Sequence, residues 1–367
     1  MTPRSPIAYP PNKGRQMTHI AKPKFRHPNA KTNSVGLTRR DYEGVISTLC
    51  AGCGHDSVTA AIVEACFELE LPAHRVAKMS GIGCSSKTTN YFLNRSHGFN
   101  SVHGRMPSVA TGANLANCEL LYLGISGDGD TASIGMGQFC HAIRRRLNMV
   151  YICENNGTYG LTKGQFSATN DKISQNRRGI DTPFDAIDLC NVAIELGAGF
   201  VARAFSGDKA QVVPLIKAAM NYHGFAFIDI ISPCVTFNNH AKSTKSYEYV
   251  RDHNAAVGRL DMVPNRAEIK VDYEPGEVAE VTMHNGSEVL LRKLDKDYDP
   301  TNARTSLPVL EKYKRRNEVA TGILYFDDAE VDLHDLINTS HRPLNAIPME
   351  ELSPGQAALA KINAGKR

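Results

Sequence analysis

Short, continuous apolar runs alternate with segments of helical periodicity between about residue 46 and residue 234. The runs ELLYLGIS (119–126), NMVYIC (148–153) and FAFIDIIS (225–232) do not alternate regularly between apolar and polar positions. Such runs are typical of parallel strands that are buried on both faces of a sheet. The runs RVAKMS and GFVARA predict two further strands.

Amphipathic segments separate these runs. GMGQFCHAIRRR (135–146), FDAIDLCNVAIELG (184–197) and KAQVVPLIKAAMNYH predict helices, and a glycine closes the second of them. Strands that alternate with helices form a mostly parallel central sheet with helices on both faces. The pattern therefore predicts the α/β class, in which ligands bind outside the carboxyl ends of the strands.

The two ends of the chain depart from this pattern. The first forty residues contain many Lys, Arg and Pro but no Asp or Glu. An organelle transit peptide can have this composition, but the prolines interrupt any amphipathic helix. We favour an irregular arm over residues 1–45, and such an arm could lie on a partner subunit.

After about residue 235 the chain becomes polar and charged. TGILYFDD (321–328) predicts a last strand, followed by a weakly helical and then irregular tail. We expect a ligand-binding domain over residues 46–235. Residues 236–367 would form a C-terminal extension that packs on this domain and on the partner subunit.

The composition narrows the class of protein. The 367 residues are 42% hydrophobic and 22% charged with a net charge of +4, which allows a sizeable core and does not argue for nucleic-acid binding. No run of 18 apolar residues occurs, so the sequence predicts no transmembrane helix. The nine cysteines are widely spread, unlike those of a secreted disulfide scaffold, so we expect a reducing, cytoplasmic environment.

An acidic glycine turn follows the first of the buried runs. In GDGDTASIGMGQF the glycines allow the backbone to approach a diphosphate, Asp128 is a hard oxygen ligand, and the next helix offers its N-terminus to an anion. The neighbouring run ends in Glu154-Asn155-Asn156-Gly157 at the same edge of the sheet. Carboxylate, amide, carbonyl and phosphate oxygens suit octahedral Mg²⁺. The two turns together predict a site for thiamine diphosphate and Mg²⁺; the alternative is a pair of Asx-rich loops.

The pair Cys50-Ala51-Gly52-Cys53 could form a metal site, a redox disulfide or only a turn. Cys84 and Cys234 also lie in predicted loops, and four loop thiolates could bind Zn²⁺ or a 4Fe–4S cluster. Structural zinc usually has two C-x2-C pairs, whereas here there is one, so the spacing favours the cluster. The remaining five are interpreted as small buried hydrophobic residues: Cys66, Cys118, Cys140, Cys153 and Cys190.

Over residues 46–300 the chain resembles the β subunits of the 2-oxoacid:ferredoxin oxidoreductases, and most of all those that act on 2-oxoglutarate. The motifs that carry the resemblance are CAGCGHDS, SGIGCSSK, HGRMPSVATGANLAN, GDGDTASIGMGQFCHAIRR, ENNGTYGLTKGQ and SPCVTFN. The family often has WCPGCG at the first cysteines. Leu49 and Ala51 replace that Trp and Pro here, which changes the expected packing over the cluster but not its ligands.

The resemblance implies a thiamine-diphosphate-binding fold and assigns roles to individual residues. Asp128, Asn156 and the carbonyl of Thr158 would bind Mg²⁺. Cys50, Cys53, Cys84 and Cys234 would bind one 4Fe–4S cluster. Thiamine diphosphate would contact Gly52, Gly83, Ser85, Gly127, Gly129, Asp130, Asn156, Tyr159, Leu161 and Thr162.

Four further residues would act on the substrate. Lys87 corresponds to a lysine near the substrate carboxylate, and His103 and Arg105 would lie near the cofactor or the substrate. Lys163 occupies a position that tends to be glycine in pyruvate-selective relatives, and a cation there suits the distal carboxylate of 2-oxoglutarate. His55 and His141 are expected to be structural.

The resemblance also implies partners. The reaction would be the CoA-dependent oxidative decarboxylation of a 2-oxoacid, reversible in principle, with electrons passed to ferredoxin. An α subunit, in an αβ or (αβ)2 assembly, would supply the aminopyrimidine half of the cofactor site and its glutamate, so we expect this chain to be inactive alone. Two alternatives stay open: a cluster-free thiamine decarboxylase with a structural CxxC, and a zinc-stabilised interaction subunit without catalysis.

Overall fold

The computed structural model describes most of the chain, apart from its N-terminal arm and several shorter stretches. The described residues are 29–170, 182–236, 269–282, 288–316, 318–328, 331–340, 342–353 and 355–366. Most of the predicted N-terminal arm therefore lies outside the described residues. Among the described residues, no helix has the length and the apolar content needed to cross a membrane.

A nine-stranded sheet forms the centre of the molecule, in the order β2-β1-β3-β4-β8-β7-β11-β10-β9. Neighbouring strands are parallel from β2 to β7, β11 is antiparallel to β7, and β9 is antiparallel to β10. The strands of this sheet are β1 (Val76–Ser80), β2 (His97–Asn100), β3 (Leu121–Gly127), β4 (Met149–Asn155), β7 (Phe200–Phe205), β8 (Phe225–Ile231), β9 (Val278–Thr282), β10 (Glu288–Lys293) and β11 (Glu318–Phe326). A separate two-stranded ribbon contains β5 (Thr158–Tyr159) and β6 (Gln165–Phe166).

Helices cover both faces of the sheet, as predicted. The helices are α1 (Gly54–Glu68), α2 (Met106–Ala116), α3 (Met136–Arg144), α4 (Leu189–Glu195), α5 (Lys209–Met220), α6 (Ala303–Lys314), α7 (Leu333–Ile337), α8 (Met349–Leu352) and α9 (Gly355–Ala364). One apolar core lies under α1 and α5 and includes Ile62 and Ile216; the other lies under α2, α3 and α4 and includes Phe139. The predicted α/β class with a mostly parallel sheet is confirmed.

Two predicted elements differ from the structure. α4 begins at Leu189 rather than near residue 184, because the carboxylate of Asp188 accepts hydrogen bonds from the backbone N–H groups of Cys190 and Asn191 and caps the helix there. The end of the tail is helical in α9 rather than irregular. The C-terminal strands β9 to β11 continue the central sheet, and the division into three domains stays a prediction.

Three of the five cysteines interpreted as buried hydrophobic residues are fully buried: Cys66, Cys153 and Cys190. Cys118 and Cys140 are only partly buried, so that interpretation is wrong for these two positions. Cys140 lies near the middle of the short helix α3, on a turn of helix that is partly open to solvent.

Candidate functional site

An open cleft lies at the carboxyl ends of β3 and β4, bounded by the loop after β1 and by residues 156–162. Nine of the ten residues expected to bind the cofactor line it: Gly83, Ser85, Gly127, Gly129, Asp130, Asn156, Tyr159, Leu161 and Thr162. Asp128, Thr158, Cys84 and His103 also face the cleft. This is the edge of the sheet at which the acidic glycine turn and the Asn-Asn turn were expected to meet.

The carboxylate of Asp128 is buried at the base of the cleft, with 1% of the residue exposed. Its Oδ1 accepts a hydrogen bond from the backbone N–H of Asn156 at 3.2 Å. Its Oδ2 accepts hydrogen bonds from the hydroxyls of Ser167 and Thr169. Burial raises the pKa of Asp128, and these donors oppose that shift. A buried carboxylate in this setting is a strong ligand for a hard cation.

The loop after β4 carries two further oxygen donors, the amide of Asn156 and the backbone carbonyl of Thr158, and both residues line the cleft with Asp128. The side-chain Oδ1 of Asn156 accepts the backbone N–H of Thr158 at 3.1 Å, which fixes the amide while leaving one lone pair of the oxygen available. The backbone of Thr158 enters the ribbon β5–β6, and its hydroxyl donates to the carbonyl of Gln165 at 2.9 Å. Carboxylate, amide and carbonyl oxygens are the donor types that suit Mg²⁺.

The glycines of the acidic turn allow a close approach of the walls. A Cβ atom on Gly129 would lie 2.5 Å from the ring of Tyr159, whose hydroxyl donates to the carbonyl of Gly129 at 3.0 Å. A Cβ atom on Gly127 would lie 2.9 Å from the Oγ of Ser85. The absence of these side chains leaves backbone available for a phosphate group, as in other glycine-rich anion sites.

Asp130 contacts both the loop of His103 and Gly104 and the end of β3, at one side of the cleft. Its Oδ1 lies 2.6 Å from Nδ1 of His103 and accepts the backbone N–H of Gly104 at 2.8 Å. Its Oδ2 accepts the hydroxyl of Ser126 at 3.0 Å. These contacts orient the imidazole of His103 toward the cleft, so Asp130 positions a neighbouring side chain as well as lining the site.

His55 lies in the cleft wall, and the expectation of a role confined to structure did not foresee this position. The residue is 1% exposed, and burial lowers its pKa to about 4, so its imidazole is neutral near pH 7. Nδ1 lies 2.9 Å from the Oγ of Ser232, and Nε2 lies 3.4 Å from Nδ2 of Asn156. His55 therefore contacts one of the residues expected to bind the cation.

Glu154 was not singled out by the sequence for any role. Its carboxylate is fully buried in the cleft wall, where both oxygens lie within 3.1 Å of the hydroxyl of Thr88 and one lies 3.5 Å from Nδ1 of His55. Burial raises the pKa of Glu154 well above its usual range. Its strand position, just before the Asn-Asn pair, was the available signal.

The four predicted cluster cysteines come from three loops that meet beside the cleft. Cys50 and Cys53 lie at the start of α1, where the N–H of Gly54 donates to the carbonyl of Pro233 at 3.1 Å. Burial raises the pKa of Cys84 to about 11, and the nearby thiols of Cys234 and Cys50 add to the shift. The sulfur atoms are thus close enough to interact electrostatically.

The cysteines do not form a preassembled zinc site among the described residues, since no three of their sulfurs lie within 4.8 Å of one another. Zn–S bonds of about 2.3 Å would place the sulfurs of a tetrahedral zinc site about 3.8 Å apart.

Besides Cys50, Cys53 and Cys234, four of the predicted site residues lie outside the lining of the cleft. Gly52 has a φ of 78° in the turn between the first two cysteines. Lys87 lies close enough to Cys84 to lower the pKa of that thiol. Arg105 is exposed where α2 begins, and Lys163 is exposed beside the lining residue Thr162. Their roles toward substrate stay predictions.

The fold and the cleft define a thiamine diphosphate-binding domain. Residues 81–230 match the family described as "Thiamine pyrophosphate enzyme, C-terminal TPP binding domain". The 2-oxoacid:ferredoxin oxidoreductase β subunit of a Sulfolobus species is 37% identical over 218 residues, which are 59% of this chain and 69% of that protein. The 2-oxoglutarate synthase subunit KorB of Methanocaldococcus jannaschii is 34% identical over 57% of this chain and 79% of that protein.

The chain belongs to the family of 2-oxoacid:ferredoxin oxidoreductase β subunits, which confirms the resemblance seen in its motifs. It is also similar to a solved structure, the 2-oxoglutarate:ferredoxin oxidoreductase from Magnetococcus marinus with 2-oxoglutarate, coenzyme A and succinyl-CoA bound. The TM-score is 0.66 at 28% sequence identity, over 84% of this chain and 90% of the other.

Proposed function

We propose that this chain is the β subunit of a CoA-dependent 2-oxoglutarate:ferredoxin oxidoreductase. Together with an α subunit, it would convert 2-oxoglutarate or a similar 2-oxoacid to the acyl-CoA and CO₂ and pass the electrons to ferredoxin. The observation that carries the proposal is the meeting of an oxygen-ligand site and a four-cysteine site at one cleft. The related β subunits and the solved 2-oxoglutarate enzyme support the same reaction.

We assign the oxygen-ligand site to Mg²⁺ and the diphosphate of thiamine diphosphate. Asp128, Asn156 and the carbonyl of Thr158 would bind the cation, and the backbone around Gly127 and Gly129 would approach the phosphates. When bound, thiamine diphosphate supplies the electron sink for decarboxylation. The protein binds and orients it, and the walls of the cleft limit the access of water.

The neutral imidazole of His55 holds the side chain of Asn156 at the cation site, with its Nδ1 directed at Ser232. His103, oriented by Asp130, is aimed at the space where substrate would bind. Lys87 and Arg105 would provide positive charge for the carboxylate next to the 2-oxo group. Lys163 would bind the distal carboxylate that distinguishes 2-oxoglutarate from pyruvate.

We assign Cys50, Cys53, Cys84 and Cys234 to one 4Fe–4S cluster, which would carry electrons singly toward ferredoxin. The alternative is a cluster-free thiamine decarboxylase with structural zinc, and the presence of one C-x2-C pair rather than two argues against it. The three-part division of the chain, with a C-terminal extension against the partner subunit, belongs to the same proposal.

The metal content of Cys84→Ala tests this assignment. The αβ complex, purified without oxygen, is expected to be brown and to contain iron and sulfide, and Cys84→Ala is expected to lose most of both. Cys140→Ala is the matched control, since Cys140 is also partly buried but lies on α3. A colourless wild-type complex with one zinc per β chain would contradict the proposal and support the alternative.

A further inference from the structure

A line of buried polar side chains leads from the cation site across three strands of the sheet. Asn155 ends β4, Asp229 lies in β8, and Arg203 lies in β7 directly opposite Asp229 in the strand register. Arg203 is 8% exposed and Asp229 is 2% exposed. Charged groups are rarely buried at this depth without a partner, because their desolvation is costly.

Each of these groups has a partner. The Nε of Arg203 donates to Oδ2 of Asp229 at 3.0 Å, and another nitrogen of the guanidinium donates to Asp188. The other oxygen of Asp229, Oδ1, accepts Nδ2 of Asn155 at 3.0 Å. Both oxygens of Asp229 thus accept an N–H donor, which is the pattern of an ionised carboxylate.

This arrangement determines how the amide of Asn155 is oriented. An ionised carboxylate only accepts hydrogen bonds, so the NH₂ group of Asn155 must face Asp229 and its carbonyl oxygen must face away. That oxygen accepts the backbone N–H of Gly157, the residue after Asn156, at 3.3 Å.

We propose that Asp229, held by Arg203, is a positioning residue for the divalent cation: it fixes the amide of Asn155 so that its oxygen accepts the N–H of Gly157 and anchors the loop that carries Asn156. The proposal rests on the proposed function, because it assumes that Asn156 binds the cation. Partners behind the ligands of a metal affect its affinity about 10–100-fold. Asp229 does not itself reach the cation or the substrate.

Loss of the negative charge at Asp229 removes the constraint on Asn155. In Asp229→Asn the new amide can donate as well as accept, so Asn155 is free to turn over, and the N–H of Gly157 then loses its acceptor. A role limited to stability would lower the melting temperature without changing the affinity for the cation. The two possibilities therefore differ in a binding measurement.

Binding of Mn²⁺, measured by the electron paramagnetic resonance signal of the free ion, provides that measurement. The αβ complex is titrated with Mn²⁺ in the presence and in the absence of thiamine diphosphate. We expect Asp229→Asn to weaken the thiamine-dependent binding of Mn²⁺ at least tenfold. The matched control is Glu318→Gln, since Glu318 is also a carboxylate of the sheet that pairs with an arginine, 2.6 Å from Nε of Arg292. The affinity of this variant for Mn²⁺ is expected to stay within twofold of wild type.

A second comparison keeps the test decisive if Asp229→Asn fails to assemble. Arg203→Lys keeps a positive charge but cannot bind both carboxylates in the same way, and it is expected to weaken Mn²⁺ binding in the same direction. Combined with Asn155→Ala, either variant should lose less affinity than the sum of the two single losses, because both act through the amide of Asn155.

Two results would count against the inference. Folded variants at Asp229 and Arg203 that bind Mn²⁺ within twofold of wild type would overturn it and leave the proposed function intact. A wild-type complex without thiamine-dependent Mn²⁺ binding would overturn the proposed function and the inference together.

Discussion

Lys163 adopts a backbone conformation that lysine rarely takes, with a φ of 78°. Glycine favours this region, and a side chain there costs on the order of 1 kcal/mol or more. The residue is exposed, so packing does not explain why a long cationic side chain occupies the position. Its neighbours Leu161 and Thr162 line the cleft, so Lys163 lies at the edge of that lining.

We therefore expect Lys163→Gly to keep the backbone and remove only the cation. A hydrogen bond to a charged group is worth about 1.5–3 kcal/mol, so kcat/KM for 2-oxoglutarate should fall about tenfold or more, mainly through KM. Turnover of pyruvate, which lacks the distal carboxylate, should change less. Steady-state kinetics of the αβ complex with both substrates measure the difference.

Arg146→Gly is the matched control, because Arg146 is a second basic residue with a positive φ, of 52°, and lies just after α3, away from the lining of the cleft. This variant should leave the ratio of kcat/KM for 2-oxoglutarate to kcat/KM for pyruvate unchanged. Preference of the wild type for pyruvate, or an equal loss for both substrates in Lys163→Gly, would contradict the assignment of Lys163.

The sequence predicts those site residues that are close to a strand end, and misses those that depend on distant contacts. Asp128 and Asn156 follow buried strands directly, so their meeting at one edge follows from the parallel topology. His55 reaches the cleft only because α1 packs beside Ser232, 177 residues later. Ser167 and Thr169 lie in a loop with no periodic pattern, about 40 residues after Asp128, which they bind.

Strand β1 shows how an element can contain a charge at its centre. Lys78 is 6% exposed among apolar neighbours, and its ammonium group donates to the carbonyls of Phe92 at 2.7 Å and Leu93 at 3.1 Å. These contacts attach the segment before β2 to strand β1. Burial lowers the pKa of Lys78 to about 8, from 10.5.

Because of Lys78, the free energy of unfolding of the chain should therefore increase as the pH rises. Below pH 8 the lysine is protonated in both states, and between about pH 8 and 10.5 the unfolded chain binds more protons than the folded one, so the free energy of unfolding increases. The gain is on the order of 2–3 kcal/mol. Urea unfolding at pH 7.5 and 10 should show it in the wild type but not in Lys78→Met.

Lys217→Met is the control for this comparison, since Lys217 lies on the surface of α5 and pairs with Glu68 at 2.6 Å. It should show the same pH dependence as the wild type. An identical pH dependence in wild type and Lys78→Met would contradict the buried, destabilised ammonium group.

At the scale of the whole molecule, exposed apolar side chains lie around the mouth of the cleft. Ile82 and Leu161 are 38% and 48% exposed and line it, while Val102, next to the lining residue His103, is 70% exposed. Exposed apolar side chains grouped at a binding site indicate a surface that another protein covers. We propose that the α subunit covers this surface and completes the cofactor site.

The chain alone should therefore be inactive, because the α subunit would supply the other half of the cofactor site. With thiamine diphosphate, Mg²⁺, 2-oxoglutarate and coenzyme A, it should not reduce a viologen dye until the α subunit is added. Val102→Glu should weaken the association with α by about tenfold or more, since a charge would be buried in the contact, whereas Leu196→Glu, at a residue 40% exposed just after α4, should not. Analytical ultracentrifugation and the dye assay measure both effects. Dye reduction by the isolated chain, at the rate of the complex, would show that the cofactor site is complete without a partner.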